Sequence, residues 1–146
     1  SLQMNIQEMQ TILQNRLPVK LFVINNQGYH SIRQTQKNFF GEPLVGIGAD
    51  SGDLSFPDME KLAAAYGYPY VVAHHNEEVA GAVEKTLAMD GPVICEFYVT
   101  TDQNFEPKSS AKRLPDGTLV SPPLEDLSPF LPDEEMDKLM IIPRIK

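Results

Sequence analysis

The stretch Val19-Lys20-Leu21-Phe22-Val23-Ile24, followed at once by Asn25-Asn26-Gln27-Gly28, decides the fold. Leu21 to Ile24 is an unbroken apolar run ending in β-branched residues, which reads as a strand covered on both faces. The two amides and the glycine after it read as a turn. Upstream, Ile6, Met9 and Leu13 share one helical face with Leu2 a turn earlier, so residues 3–15 are expected to be a helix that Pro18 ends. Downstream, residues 29–40 fit a short helix without deciding it, and residues 41–56, with Gly41, Gly46, Gly48 and Gly52, read as loop.

The rest of the first hundred residues repeats the alternation. Ser55 and Asp58 have capping-box spacing with Pro57 in the first turn, ahead of the stripe Met59, Leu62, Ala63, Tyr66 that Gly67 closes. Tyr70 to Ala73 is a short strand. Asn76 is a candidate cap for a helix whose first turn holds Glu77 and Glu78 and whose apolar face is Val79, Ala80, Val83 and Leu87, stopped by Gly91-Pro92. Val93 to Val99 is again nearly all apolar. Strands separated by helices imply right-handed crossovers and an α/β fold: a doubly wound, mostly parallel sheet with helices on both faces. Ligands in such sheets sit beyond the carboxyl ends of the strands, which is where Asn25 to Gly28 lies. Residues 101–146 hold seven of the twelve prolines and little periodicity. They are expected to form a separate Pro-rich tail wrapping the domain or a neighbour, with Asp133-Glu134-Glu135 opening a short helix through Met140.

Composition narrows the function. The chain has 146 residues, 42% of them hydrophobic, enough for one domain of about 1–100 with a real core. Twelve basic against twenty acidic residues give a net charge of -8, which argues against nucleic acid and against an anionic membrane surface. The single cysteine, Cys95, excludes an intrachain disulfide and fits a reducing, cytoplasmic setting. No apolar run approaches the roughly 20 residues of a membrane helix. The opening Ser1-Leu2-Gln3-Met4-Asn5 does not resemble a signal peptide, and a first residue other than Met suggests a piece of a longer chain.

Asn25-Asn26-Gln27-Gly28 is the candidate site. A carboxamide oxygen suits Mg²⁺, and a glycine lets its carbonyl turn toward a bound ion. Asn and Gly also simply make turns, and on these four residues alone that reading is the stronger. The other candidates are weaker. Gly46-Ile47-Gly48 lacks the third glycine and the preceding strand of a dinucleotide loop. Asp50, Asp53 and Asp58 lack calcium-loop spacing, and Asp58 serves better as a cap. His74-His75 has no further ligands nearby, and Cys95 in an apolar strand reads as a buried, inert thiol. His30 and Arg33 follow the Asn-Asn loop and are candidates for the mouth of a site there.

The order of these elements resembles the thiamine-diphosphate enzymes of the acetolactate synthase kind. The resemblance runs through the opening helix, Val23-Ile24-Asn25-Asn26-Gln27-Gly28-Tyr29, Met59 to Gly67 and Gly91-Pro92-Val93-Ile94-Cys95-Glu96-Phe97, about residues 1–100. In that family a Gly-Asp-Gly precedes such a helix and the motif ends in Asn-Asn, so this chain would begin just after Gly-Asp-Gly. The resemblance implies that the chain is the diphosphate-binding domain of a thiamine-diphosphate-dependent enzyme, truncated at its N-terminal side. Mg²⁺ would bind the Asn26 side chain and the Gly28 carbonyl. Ser1 and Leu2 would contact the diphosphate, with Tyr29 and His30 at the phosphate end. Ser31 and Thr35 would face substrate. A Trp usually stands at the position of Thr35 in biosynthetic acetolactate synthases, so a roomier, more polar pocket is expected.

The reaction implied is carbon–carbon bond formation or cleavage at a 2-keto acid, with condensation of pyruvate, a transferase or lyase step of branched-chain amino acid biosynthesis, as the leading expectation. No catalytic residue is expected in this chain, because the family's activating glutamate lies in the N-terminal pyrimidine-binding domain of a second subunit. Glu8, in mid-helix, does not replace it. A homo-oligomer is implied, and the chain by itself is expected to be inactive, to bind the cofactor poorly and to self-associate through an exposed sheet edge. Two alternatives stand beside this reading. One is a stand-alone flavodoxin-like or nucleotide-binding module. The other is a non-catalytic interaction domain.

Overall fold

The structure, a computed structural model, describes residues 2–144, which divide into one compact unit ending at Gln103 and another beginning at Asn104. The first unit holds α1 (Glu8–Gln14), β1 (Lys20–Asn25), α2 (His30–Phe39), α3 (Met59–Tyr66), β2 (Tyr70–Ala73), α4 (Asn76–Ala88) and β3 (Val93–Tyr98). The three strands form a parallel sheet in the order β1-β3-β2, with Lys20 opposite Val93 and Tyr70 opposite Ile94. This is the expected α/β fold with helices on both faces. On one face Met9, Ala63, Tyr68 and Ile94 form a core against α1 and α3. On the other, Ala82 of α4 packs against Val71, Ala73, Val93 and Cys95. The Tyr68 hydroxyl ties the first face together by donating to the Met9 carbonyl at 2.8 Å. Lys20 Nζ ties β1 to the end of α4, donating to the Met89 carbonyl at 2.6 Å and to that of Gly91.

The elements differ from expectation at their ends, for local reasons. The helix expected over residues 3–15 is a four-residue 3-10 turn, Leu2–Asn5, and then α1. It stops before Pro18 because Arg16 takes φ 53°, with Leu17 N–H donating to Ile12 O and Arg16 N–H to Leu13 O. Those are the two bonds of a Schellman ending, here built on an arginine in place of glycine. The N-cap of α3 is Asp58, whose side chain accepts from Lys61 N–H, and not Ser55; Pro57 precedes the helix. His75, not Asn76, occupies the N-cap of α4, and Glu78 folds back to accept from the His74 and His75 amides.

Strand β1 is also a correction. It was expected to be covered on both faces, yet Phe22 and Ile24 are 40% and 56% exposed. Phe22 stacks on Phe97 of β3 at 6.0 Å. Being at the edge of the described sheet, β1 is packed on one face only, whereas β3 is the doubly buried strand. Cys95 is fully buried, as expected of an inert thiol.

The second unit contains a two-residue antiparallel hairpin, β4 (Lys112–Arg113) with β5 (Leu119–Val120), and the short helix α5 (Asp133–Leu139) expected from its acidic start. Lys112 lies over the Phe130 ring and 3.8 Å from buried Asp126, and Arg144 pairs with Asp133 and Asp137. No helix among the described residues is long and apolar enough to cross a membrane.

Candidate functional site

The carboxyl end of β1 delivers Asn25 to a crossing of three segments. Asn25 Oδ1 accepts from Gln27 N–H at 3.0 Å, an Asx turn that starts the reversal of the chain. Asn25 Nδ2 donates to Glu96 Oε1 at 2.7 Å. Glu96, 2% exposed on β3, also receives the Tyr70 hydroxyl, so this buried carboxylate is bonded on both oxygens. Burial and the bond to Glu96 push the Tyr70 phenol well up from its ordinary value.

Glycine at position 28 has a reason other than the one expected. The residue in the left-handed region is Gln27, at φ 57°. Gly28 pairs antiparallel with Gly48, and Tyr29 N–H donates to the Ile47 carbonyl at 2.7 Å. A Cβ at position 28 would collide with the Ile47 carbonyl oxygen, and one at position 48 with that of Gln27. Close approach of two backbones demands both glycines. The Gly46-to-Gly52 segment, read from sequence as plain loop, is therefore the clamp on the Asn-Asn loop. Asp53 helps to shape it, accepting from the Ser51 hydroxyl and from Gly46 N–H, and those bonds lower its pKa.

Arg33 completes the crossing. It was a candidate for an exposed mouth, yet it is 1% exposed. Its Nε and Nη2 fork onto Asp50 at 2.8 and 3.0 Å. Nη1 donates to the Asn26 carbonyl at 3.2 Å and Nη2 to that of Gln27 at 3.4 Å. His30 Nδ1 lies 3.0 Å from Nη1. The hydrogen bonds from the Arg33 guanidinium hold the Asp50 carboxyl below its ordinary value. Sequence gave no period or spacing that links positions 33 and 50; the only hint was the density of glycines after residue 40.

Beside this crossing lies a cleft of about 120 Å³. It brings together Leu2, Asn26, Gly28 and Tyr29 from the predicted set, with Phe56, Met59 and Glu96 among its other walls. The Tyr29 ring meets Phe56 edge-on at 5.7 Å. Asn26 and Gly28 both line this space, and among the described residues no hydrogen bond reaches the Asn26 side chain or the Gly28 carbonyl. His30 is buried beside Arg33 and is not part of the cleft wall. Ser31 and Thr35 are exposed one turn apart on α2, where Thr35 Oγ1 donates to the Ser31 carbonyl at 3.0 Å. They too are outside the cleft wall. Ser1 lies outside the described residues. Among the described residues no group of three or more His, Cys, Asp or Glu could hold a metal ion.

Comparison with known proteins gives the family of the chain. The family described as the thiamine pyrophosphate enzyme, C-terminal TPP binding domain, matches residues 1–97. The acetolactate synthase large subunit of Pyropia yezoensis is 36% identical over 107 residues, which is 73% of the chain and 18% of that protein. That of Cyanidium caldarium is 32% identical over the same length and shares. Acetolactate synthase 2, chloroplastic, of Nicotiana tabacum is 30% identical over 108 residues, 71% of the chain and 16% of that protein. The chain thus spans less than a fifth of the length of these relatives.

Proposed function

The chain belongs to the thiamine pyrophosphate enzymes through their C-terminal TPP-binding domain, and from that premise we propose that it holds the magnesium-diphosphate end of thiamine diphosphate. The observation that carries this reading is the cleft in which Leu2, Asn26, Gly28 and Tyr29 meet. Its donors fit the group. A carboxamide and a peptide carbonyl are hard oxygens suited to Mg²⁺, and both lack a partner among the described residues. Asn26 Oδ1 and the Gly28 carbonyl are the proposed metal ligands. Ser1 and Leu2, through backbone or through the Ser1 hydroxyl, are the proposed contacts to the diphosphate, with Tyr29 at the phosphate end and His30 buried behind it beside Arg33.

The chain's own residues bind, orient and exclude water. Ile6, Val23, Met59 and Leu62 make one wall of the cleft apolar, which strengthens ion–dipole contacts within it. Thiamine diphosphate, when bound, supplies carbanion stabilisation next to a 2-keto acid carbonyl. The relatives' printed names support an acetolactate synthase-like condensation of pyruvate as the whole protein's reaction. Ser31 and Thr35 are proposed to face the keto acid, and a pyrimidine-binding domain of a second subunit in a homo-oligomer is proposed to complete the site.

The test is calorimetric titration of thiamine diphosphate with Mg²⁺ into the full-length protein and into Asn26→Ala. Saturable binding weakened at least ~10-fold in the variant is expected, the scale typical for groups that set metal affinity. Binding indifferent to Asn26 would overturn the assignment.

A further inference from the structure

We propose that Arg33 and Asp50 act as a positioning clasp that presets the Asn26-to-Gly28 loop for the metal. The inference rests on the function proposed above and deepens it, because neither residue lines the cleft and neither would touch the ion.

The loop has little of its own to hold it. Gln27 sits in the left-handed region, at φ 57°, which is unfavourable for a residue other than glycine. One side is fixed by the sheet, through Asn25 and Glu96. The other side is held by the Gly28–Gly48 pairing, by the Tyr29 N–H bond to the Ile47 carbonyl, and by Arg33. Its fork takes the carbonyls of Asn26 and Gln27, while Asp50 occupies the remaining edge of the guanidinium. The division of oxygens is the informative point. Two carbonyls are bound inward by Arg33, which leaves the Asn26 and Gln27 side chains and the Gly28 carbonyl as the loop oxygens without a protein partner among the described residues. The proposed ligands are among the oxygens that the clasp does not consume.

The charge balance points the same way. A buried guanidinium behind a loop that is to hold Mg²⁺ would repel the cation, and Asp50 neutralises it at 2.8 Å. Asp50 is itself partly exposed, with 38% of its side chain accessible. A lysine could neutralise Asp50 but could not bond the carboxylate and both carbonyls in one plane.

The experiment measures the Mg²⁺ concentration that half-saturates thiamine diphosphate binding in the full-length protein. It compares wild type, Asn26→Ala, Asp50→Asn and Arg33→Lys, each with a melting curve of the metal-free, cofactor-free protein. The expected result is a Mg²⁺ requirement raised on the order of 10–100-fold in Asp50→Asn and Arg33→Lys, the range for groups that orient metal ligands, with binding restored by excess Mg²⁺. A raised Mg²⁺ requirement in Asp50→Asn, measured well below that variant's own melting temperature, separates positioning from loss of the fold. If Arg33→Lys does not fold, Asp50→Asn decides alone. An unchanged Mg²⁺ requirement in Asp50→Asn, with Asn26→Ala impaired, overturns the clasp while sparing the proposed function. Lowered melting with an unchanged Mg²⁺ requirement also overturns it. Absence of any binding in wild type overturns the proposed function itself, and the clasp falls with it.

Discussion

Strands β3 and β1 lie side by side in register, yet they do opposite jobs. In β3, Val93, Ile94 and Cys95 are fully buried, and residues on alternate sides feed both cores. In β1, the outward face carries Phe22 and Ile24 half in solvent, and the strand ends in the loop that walls the cleft. Stability is concentrated in the central strand and the site at the end of the edge strand. The segment that carries the proposed ligands is thereby kept off the element whose burial holds the domain together.

Three measurements break or sharpen that contrast. The largest effect is expected for Ile94→Ala, which empties a fully buried position between Met9, Ala63 and Tyr68 and should destabilise by about 2–5 kcal/mol. Denaturant unfolding at an unchanged slope would measure it. Cofactor affinity of the folded protein should stay at the wild-type value; a loss would show that core and site are not separate. A smaller effect attaches to the loop and depends on pH. The Asp50 carboxyl is depressed in the folded state by its bond to Arg33. Its stabilising contribution is therefore complete above the ordinary value of 3.8 and lost as pH falls through the lower folded value. The difference in melting temperature between wild type and Asp50→Asn should be greatest near neutral pH and close below 3.8; a gap that persists in acid would mean the ion pair is not its source. The smallest effect belongs to the open face of β1. Ile24→Thr keeps strand propensity at an exposed position and should change stability by no more than about 0.5 kcal/mol. A cost near that of Ile94→Ala would show that this face is covered in solution.

What could be read in the chain follows the same division. The three strands, the Met59-to-Tyr66 stripe and its Gly67 stop, and the buried thiol of Cys95 all declare themselves locally, through runs, periods and caps. The end of α1 did not, because nothing in Asn15-Arg16-Leu17 announces an arginine with positive φ. Nor did the open face of β1, since an apolar run looks the same at an edge as in the middle of a sheet. Of the residues that meet in the cleft, Asn26, Gly28 and Tyr29 stand in one local run, whereas Leu2 was named only through the family resemblance. The Gly28–Gly48 pairing, the Arg33–Asp50 fork and the Glu96–Asn25 bond were not, because each joins residues far apart in sequence with no repeating spacing. In the second unit, two-residue strands are too short to show a period at all.

The interlock of Gly28 with Gly48 has a consequence for how this protein can drift. Each glycine makes room for a carbonyl of the opposing segment, so a side chain at either position meets backbone, which no rotamer change can relieve. Enlarging one residue cannot be offset by shrinking the other, since neither can become smaller. The usual route by which paired positions exchange volume through a tolerable intermediate is closed here. A lineage keeping this cleft must keep both glycines, and one that loses either would have to rebuild the crossing from a different backbone path.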